Sequence, residues 1–134
     1  MCTMEAERIK TYMEQAIQAY LDAYNAKDIP AMLALLDDQI VFENISSSSG
    51  VTQTNTKLEF EQLALQSVEY FTERKQVVRF SILSTDSAAV EIDYQATLAK
   101  ALPNGMKAGH QLQLRGVSIF EMKKGKFTRI SDYS

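Results

Sequence analysis

The chain has 134 residues, 46% of them hydrophobic and 23% charged, which suits one domain with a real core and is too short for two. Its net charge of −3 is spread over both signs, so it lacks the continuous basic stripe that phosphate-backbone binding requires, and nucleic acid is not an expected partner. Cys2 is the sole cysteine and His110 the sole histidine, which excludes an intramolecular disulfide and leaves no soft-ligand cluster for zinc.

No motif predicts a nucleotide, flavin, haem or metal, so no cofactor is expected. The N-terminal run Met4-Glu5-Ala6-Glu7 is acidic where a signal peptide would be basic, and no apolar run reaches membrane-spanning length. The expected setting is the cytoplasm, with no membrane contact.

From about Met4 to Ala26, Ile9, Met13, Ala16, Ile17, Tyr20, Leu21 and Tyr24 recur at three- and four-residue steps and predict a long amphipathic helix. Asp28 can cap a short second helix whose first turn accepts Pro30, with Met32, Leu35 and Leu36 as its buried face. Gln39 to Asn44 reads as a strand. The serine run 46–49 and Gly50 then open a polar loop to about Asn55, a candidate lid. Thr56 and Glu59 have capping-box spacing, and Phe60, Leu63, Ala64, Ser67, Tyr70 and Phe71 continue a third helix.

After Arg74 the period changes to that of strands: Gln76 to Leu83, Ala88 to Leu102, Lys107 to Met122 and Phe127 to Tyr133. The breaks between them, at 84–87, Asn104-Gly105 and Lys124-Gly125, are turn sequences, so these strands form an antiparallel meander. Three helices that must bury their stripes against one face of such a sheet give a single α+β domain over residues 1–134. A bent sheet leaves room for a pocket between the layers.

A two-residue turn at Asn104-Gly105 pairs Thr97 with Leu112, Gln95 with Leu114, Asp93 with Gly116 and Glu91 with Ser118, all on one face. The opposite face then carries Val90, Ile92, Tyr94, Ala96 and Leu98 with Gln111, Gln113, Arg115, Val117 and Ile119. Two assignments are open. Either the polar set faces solvent and the apolar set the core, which alternation favours, or the polar set lines a cavity and the apolar set a dimer interface.

The order of elements, with the stretch 20–28 (YLDAYNAKD) ending the first helix and Gly125-Lys126-Phe127-Thr128 opening the last strand, resembles the nuclear transport factor 2-like superfamily, in its SnoaL-like branch. The resemblance implies a cone-shaped (cystatin-like) fold, with three helices on a curved, mainly antiparallel sheet, chemistry inside the cone and a homodimer through the sheet's outer face. It therefore favours the second assignment.

The chain also resembles limonene epoxide hydrolases, in which an Asn ending the first strand and an Asp on the last hold water; Asn44 and Asp132 match them. Asp93 matches a middle-strand carboxylate there, while Glu91 replaces an Arg and Phe42 a Tyr. In ketosteroid isomerases the first-helix Tyr corresponds to Tyr20, but Asn44 stands where the base would be and Ser118 near the Asp donor. An amide cannot abstract a proton next to a carbonyl. SnoaL-type polyketide cyclases use a last-strand Asp as acid/base, the position of Asp132.

The implied ligand is a small apolar or amphipathic molecule. Asp132, Asp93 and Asn44 are the candidates for chemistry, and Tyr20, Tyr24, Phe42, Glu91, Gln95, Leu112, Leu114 and Ser118 for ligand contact. Tyr20 and Tyr24, one helical turn apart, can present two phenols to one cavity, with Tyr24 reading more readily as core and Tyr20 as pocket. Three carboxyls facing a cavity with no Arg between them would raise at least one pKa toward neutrality. Arg79 is the residue able to neutralise them, and His110 reads as a rim residue. An acid/base enzyme, a non-catalytic binding module and an assembly domain are the competing functions.

Overall fold

The computed structural model describes residues 2–134, with side chains from Met4 onward; expectations resting on Met1 or on the Cys2 side chain lie outside the described residues. Helix α1 (Cys2–Asn25) leads to α2 (Ile29–Leu33), β1 (Leu36–Ser46), β2 (Gly50–Thr54), α3 (Lys57–Val68), β3 (Phe71–Leu83), β4 (Ser87–Leu98), β5 (Gln111–Lys123) and β6 (Lys126–Tyr133). The strands form one six-stranded sheet in the order β2-β1-β6-β5-β4-β3. Only the β1–β6 pair among them is parallel. This is the α+β architecture expected, with the helices laid on one face. No helix among the described residues is long and apolar enough to cross a membrane.

The helix boundaries follow from their caps. Helix α1 stops where Lys27 takes a left-handed φ of 58°, while the Lys27 N–H donates to Tyr24 O and the Asp28 N–H to Ala23 O, the paired bonds of a Schellman ending. Asp28 then accepts from the Ala31 N–H as N-cap of α2, with Pro30 in the first turn. Thr56 caps α3 by accepting from the Glu59 N–H, and Glu59 reaches back to the Asn55 N–H.

The predicted stripe of α1 goes into the core from Met13 to Leu21, while Ile9 remains 40% exposed. It meets Ile40 and Phe42 of β1, Phe60 of α3, Val90 and Ile92 of β4, Phe120 of β5, and Phe127 and Ile130 of β6. The helical layer covers one face of the sheet, here called the inner face. The other face is called outer.

Several expectations are corrected. The stretch read as a polar lid after Ser46 is mostly the edge strand β2, paired with β1 from Ser46–Gly50 to Phe42–Thr54, because a three-residue turn returns the chain at once. Leu36 belongs to β1, and α3 ends at Val68, so Tyr70 lies in a turn and Phe71 opens β3.

The largest correction concerns the β4–β5 connection. Instead of a two-residue hairpin, residues 99–110 form an irregular loop. Leu102 and Met106 close an inner turn there, with Gly105 at φ 95°. Gly109, at φ 86°, closes an outer one on Leu98. The register is therefore shifted by one residue: Thr97 faces Gln111, Gln95 faces Gln113, Asp93 faces Arg115 and Glu91 faces Val117.

A slip of one residue moves one strand's side chains to the other face relative to its neighbour. Val90, Ile92, Tyr94, Ala96 and Leu98 accordingly share the inner face with Leu112, Leu114, Gly116 and Ser118, and Val90, Ile92, Ala96 and Leu98 are buried there. This is the assignment that alternation favoured for β4; a polar β4 set lining the cavity is overturned.

Candidate functional site

Asp132 is the centre of the inner face. The parallel register sets it beside Asn44, and the antiparallel register sets it beside Ser118, so three strands converge on it. The Ser118 hydroxyl donates to Asp132 Oδ1 at 2.6 Å, and among the described residues no cation pairs with the carboxyl. Burial raises the Asp132 pKa to about 6, the serine hydrogen bond pulling only partly the other way. A carboxyl poised there exchanges protons near neutral pH, the property expected of a general acid or base. Gly116 permits the arrangement, since a Cβ at that position would stand 2.5 Å from the Tyr133 carbonyl oxygen, beside Asp132 on β6.

The wall above Asp132 is phenolic. Tyr20 is buried, its ring edge-on to Phe120 at 6.0 Å and to Phe127 at 6.2 Å. Burial, and then the nearby Asp132 carboxyl, hold its phenol well above the usual tyrosine range, with Arg74 acting in the opposite sense. One turn on, Tyr24 is half-buried and its hydroxyl donates to the Tyr94 hydroxyl at 3.0 Å. The expected division between them is thus reversed in exposure, Tyr20 being the more deeply packed.

Asn44 is exposed at the inner-face edge, and Phe42 is buried against Phe60 with ring centroids 5.2 Å apart. Leu112 and Leu114 extend the inner face along β5, Leu114 being 48% exposed because the helices leave that part of the strand uncovered. Asn44, Asp132, Ser118, Tyr20, Tyr24, Phe42, Leu112 and Leu114 therefore share the inner face.

Asp93, Glu91 and Gln95 do not join them. They lie on the outer face, where Arg79 pairs with Glu91 at 3.4 Å and with Asp93 at 3.0 Å, and Arg115 pairs with Asp93 at 3.3 Å. The expected acidic floor with no Arg between its carboxyls is overturned: the hydrogen bond from Arg79, foremost, holds the Asp93 carboxyl below its ordinary value. Arg115 lies on the outer face opposite Asp93, and not on the face of Val90 and Ile92 with which the expected register had grouped it. His110 is exposed in the 99–110 loop, its carbonyl accepting from the Leu98 N–H.

Two inner-face groups escaped the sequence reading. Arg74, 5% exposed, lies over the Tyr24 ring at 3.7 Å and donates from Nε to the Tyr24 carbonyl at 3.1 Å, leaving Nη2 buried without a partner. The hydroxyl of Thr54, beside Phe42 on β2, is likewise buried and unpartnered. A lone Arg at the head of an unrecognised strand gives no sequence signal. A groove of about 610 Å³ opens at this end, between the close of α1 and the starts of β3 and β5, and Arg74 lines it while Asp132 does not. Among the described residues no three His, Cys, Asp or Glu side chains come together to hold a metal ion.

No curated protein matches the chain. Among solved structures, a candidate polyketide cyclase from Xanthomonas campestris is similar with a TM-score of 0.84 and 18% identity over 94% of this chain and 92% of that one. An LEH-like epoxide hydrolase from M. tuberculosis is similar with a TM-score of 0.73 and 17% identity over 96% and 84%. A protein of ketosteroid isomerase-like fold from Catenulispora acidiphila, in complex with trimethylamine, gives 0.72 and 11% over 89% and 84%. At these identities the likeness concerns the fold. The model of the SnoaL-like domain matches residues 17–130, and the chain therefore belongs to the SnoaL-like domain family, built on the nuclear transport factor 2-like fold.

Proposed function

We propose that this protein takes up a small, largely apolar organic molecule against the inner face of its sheet and acts on it by general acid/base chemistry, with Asp132 as the proton-handling residue. The observation that carries this reading is the Asp132 carboxyl itself: half-buried, held by the Ser118 hydroxyl, without an ion-pair partner among the described residues, and raised to about 6 by desolvation. Ser118 fixes its orientation. Asn44, beside it in the parallel register, orients water or a polar substrate atom. Tyr20, Tyr24, Phe42, Leu112 and Leu114 supply the surface for the apolar body.

Isomerase, cyclase and hydrolase chemistry all need one group that both holds and releases a proton, so the reading is of a mode and not of one reaction. The test is a carbon-13 NMR titration of the Asp132 side chain joined to turnover of a panel of epoxides and enolisable ketones. A midpoint near 6, with Asp132→Asn abolishing any turnover found, is expected. A midpoint at the ordinary carboxylate value, or an Asp132→Asn variant as active as the parent, overturns the role.

A second reading is favoured by the outer face, where Val77, Phe80, Ile82 and Val117 are 46%, 61%, 62% and 39% exposed. A cluster of this kind suits burial against a second copy of the chain, giving a homodimer through the outer face, whether or not the inner face is catalytic. Light scattering across a dilution series tests it, a monomer mass at every concentration being the overturning result.

A further inference from the structure

Arg74 is the least explained charge in the molecule. It is buried, and no carboxylate lies within ion-pairing distance of it among the described residues. The end of α1 and the face of Tyr24 offset part of the cost through one carbonyl and one ring. A buried guanidinium left with an unpartnered nitrogen is still expensive, and a methionine of similar length would fill the space without that cost. Asp132 does not serve as the missing anion, since the side-chain partner of its carboxyl is the Ser118 hydroxyl.

The groove beside Arg74 has the matching character. Lys27 lines it with Arg74, while Glu73 and Lys75, which also border it, alternate with Arg74 along β3 and point to the outer face. Lys27 is committed, its ammonium donating to the carbonyls of Phe71 and Thr72, so it holds the wall and adds positive potential. Arg74 keeps Nε on Tyr24 and leaves Nη2 without a partner, so the end of the guanidinium retains donors of the kind a carboxylate fills. Ala96 and Leu112, which line the groove, are followed on the inner face by Tyr94 and Leu114 in the β4–β5 register. The Tyr20 phenol lies within electrostatic reach of both Arg74 and Asp132.

We propose that Arg74 anchors the carboxylate of the ligand, so that the molecule taken up is a small organic acid with an apolar body. This rests on the inner face being the ligand site and deepens it: the acid group is held at the end of α1, and the body runs along the tyrosines toward Asp132.

The experiment measures binding of hydrocinnamate and octanoate, their neutral amides, and 3-phenylpropylamine to the full chain by calorimetry and ligand-observed NMR, with Arg74→Met and Asp132→Asn as variants. The acids are expected to bind wild type at least about tenfold more tightly than the amides, and the amine more weakly still. Arg74→Met should erase the acid preference while keeping the circular dichroism of the parent, and Asp132→Asn should retain it.

Equal binding of acid and amide, binding of neither, or an Arg74→Met variant that still prefers the acid overturns the anchor. If Arg74→Met does not fold, Arg74→Lys decides: a reduced preference supports the fork, and an undiminished one overturns it. The two readings fail separately. An acid preference with Asp132 titrating at an ordinary value leaves the anchor and removes the acid/base role, and the converse result does the opposite.

Discussion

The two faces of the sheet treat charge in opposite ways. On the outer face, Glu91 and Asp93 share Arg79 and Arg115, and Glu43 and Glu121 share Arg129, whose Nε also donates to Ser131 Oγ at 2.9 Å. On the inner face, Asp132 has one hydroxyl and Arg74 one carbonyl and a ring face. Exposed pairs cost little to keep and contribute little. Unpaired buried charges are costly, and where a fold keeps them they mark the place where chemistry or recognition is expected.

The difference between the faces can first be tested through packing. Phe120 is 1% exposed on the inner face and touches both Tyr20 and Phe127, so Phe120→Ala should lower stability by about 3–5 kcal/mol. Phe80, 61% exposed on the outer face, should lose no more than about 0.5 kcal/mol on the same truncation at dilutions that keep the chain monomeric. Denaturant midpoints give both values. A Phe80→Ala cost that grows with protein concentration would mean that the outer face is covered by a second copy.

The next effect is electrostatic. Because the folded state raises the Asp132 pKa to about 6, the folded form binds the proton more tightly than the unfolded chain does. Stability from this group is therefore full below the unfolded pKa of about 4 and is lost as pH rises through about 6. Asp132→Asn should remove that loss, stabilising the protein at pH 7.5 by at most about 3 kcal/mol, with no gain at pH 3.5. Thermal midpoints of parent and variant across that range provide the comparison. A destabilised variant at pH 7.5 would show the carboxylate to be favourably held after all.

Much of this was legible in the residues. The stripe from Met13 to Leu21, the Asp28 and Thr56 caps and the Lys124-Gly125 turn are local signals, and each forms where its physics requires. Asn44 and Asp132, matched by the resemblance as two residues that hold water, do stand side by side, through a parallel β1–β6 pair that the sequence reading did not place. What failed was the register across the 99–110 loop. Asn104-Gly105 reads as a two-residue hairpin, yet Gly109 supplies a second reversal, and one residue of slip transferred Glu91, Asp93 and Gln95 out of the site. Arg74 was missed for a related reason. Its burial depends on the end of α1 folding over the head of β3, a tertiary event with no local pattern.

The smallest expected effect carries the opposite sign. The guanidiniums of Arg79 and Arg115 hold Asp93 below its ordinary pKa, so its contribution to stability is present above the unfolded value and disappears as pH falls through the folded one. Asp93→Asn should therefore lower the thermal midpoint slightly at pH 7 and leave it unchanged in strong acid, the reverse of Asp132→Asn. Because Asp93 and both arginines are well exposed, 0.5 M salt should shrink the difference, whereas the buried Asp132 effect should persist in the same buffer. If both variants moved the midpoint in the same direction and responded to salt alike, the division between a paired outer face and an unpaired inner face would not describe this protein.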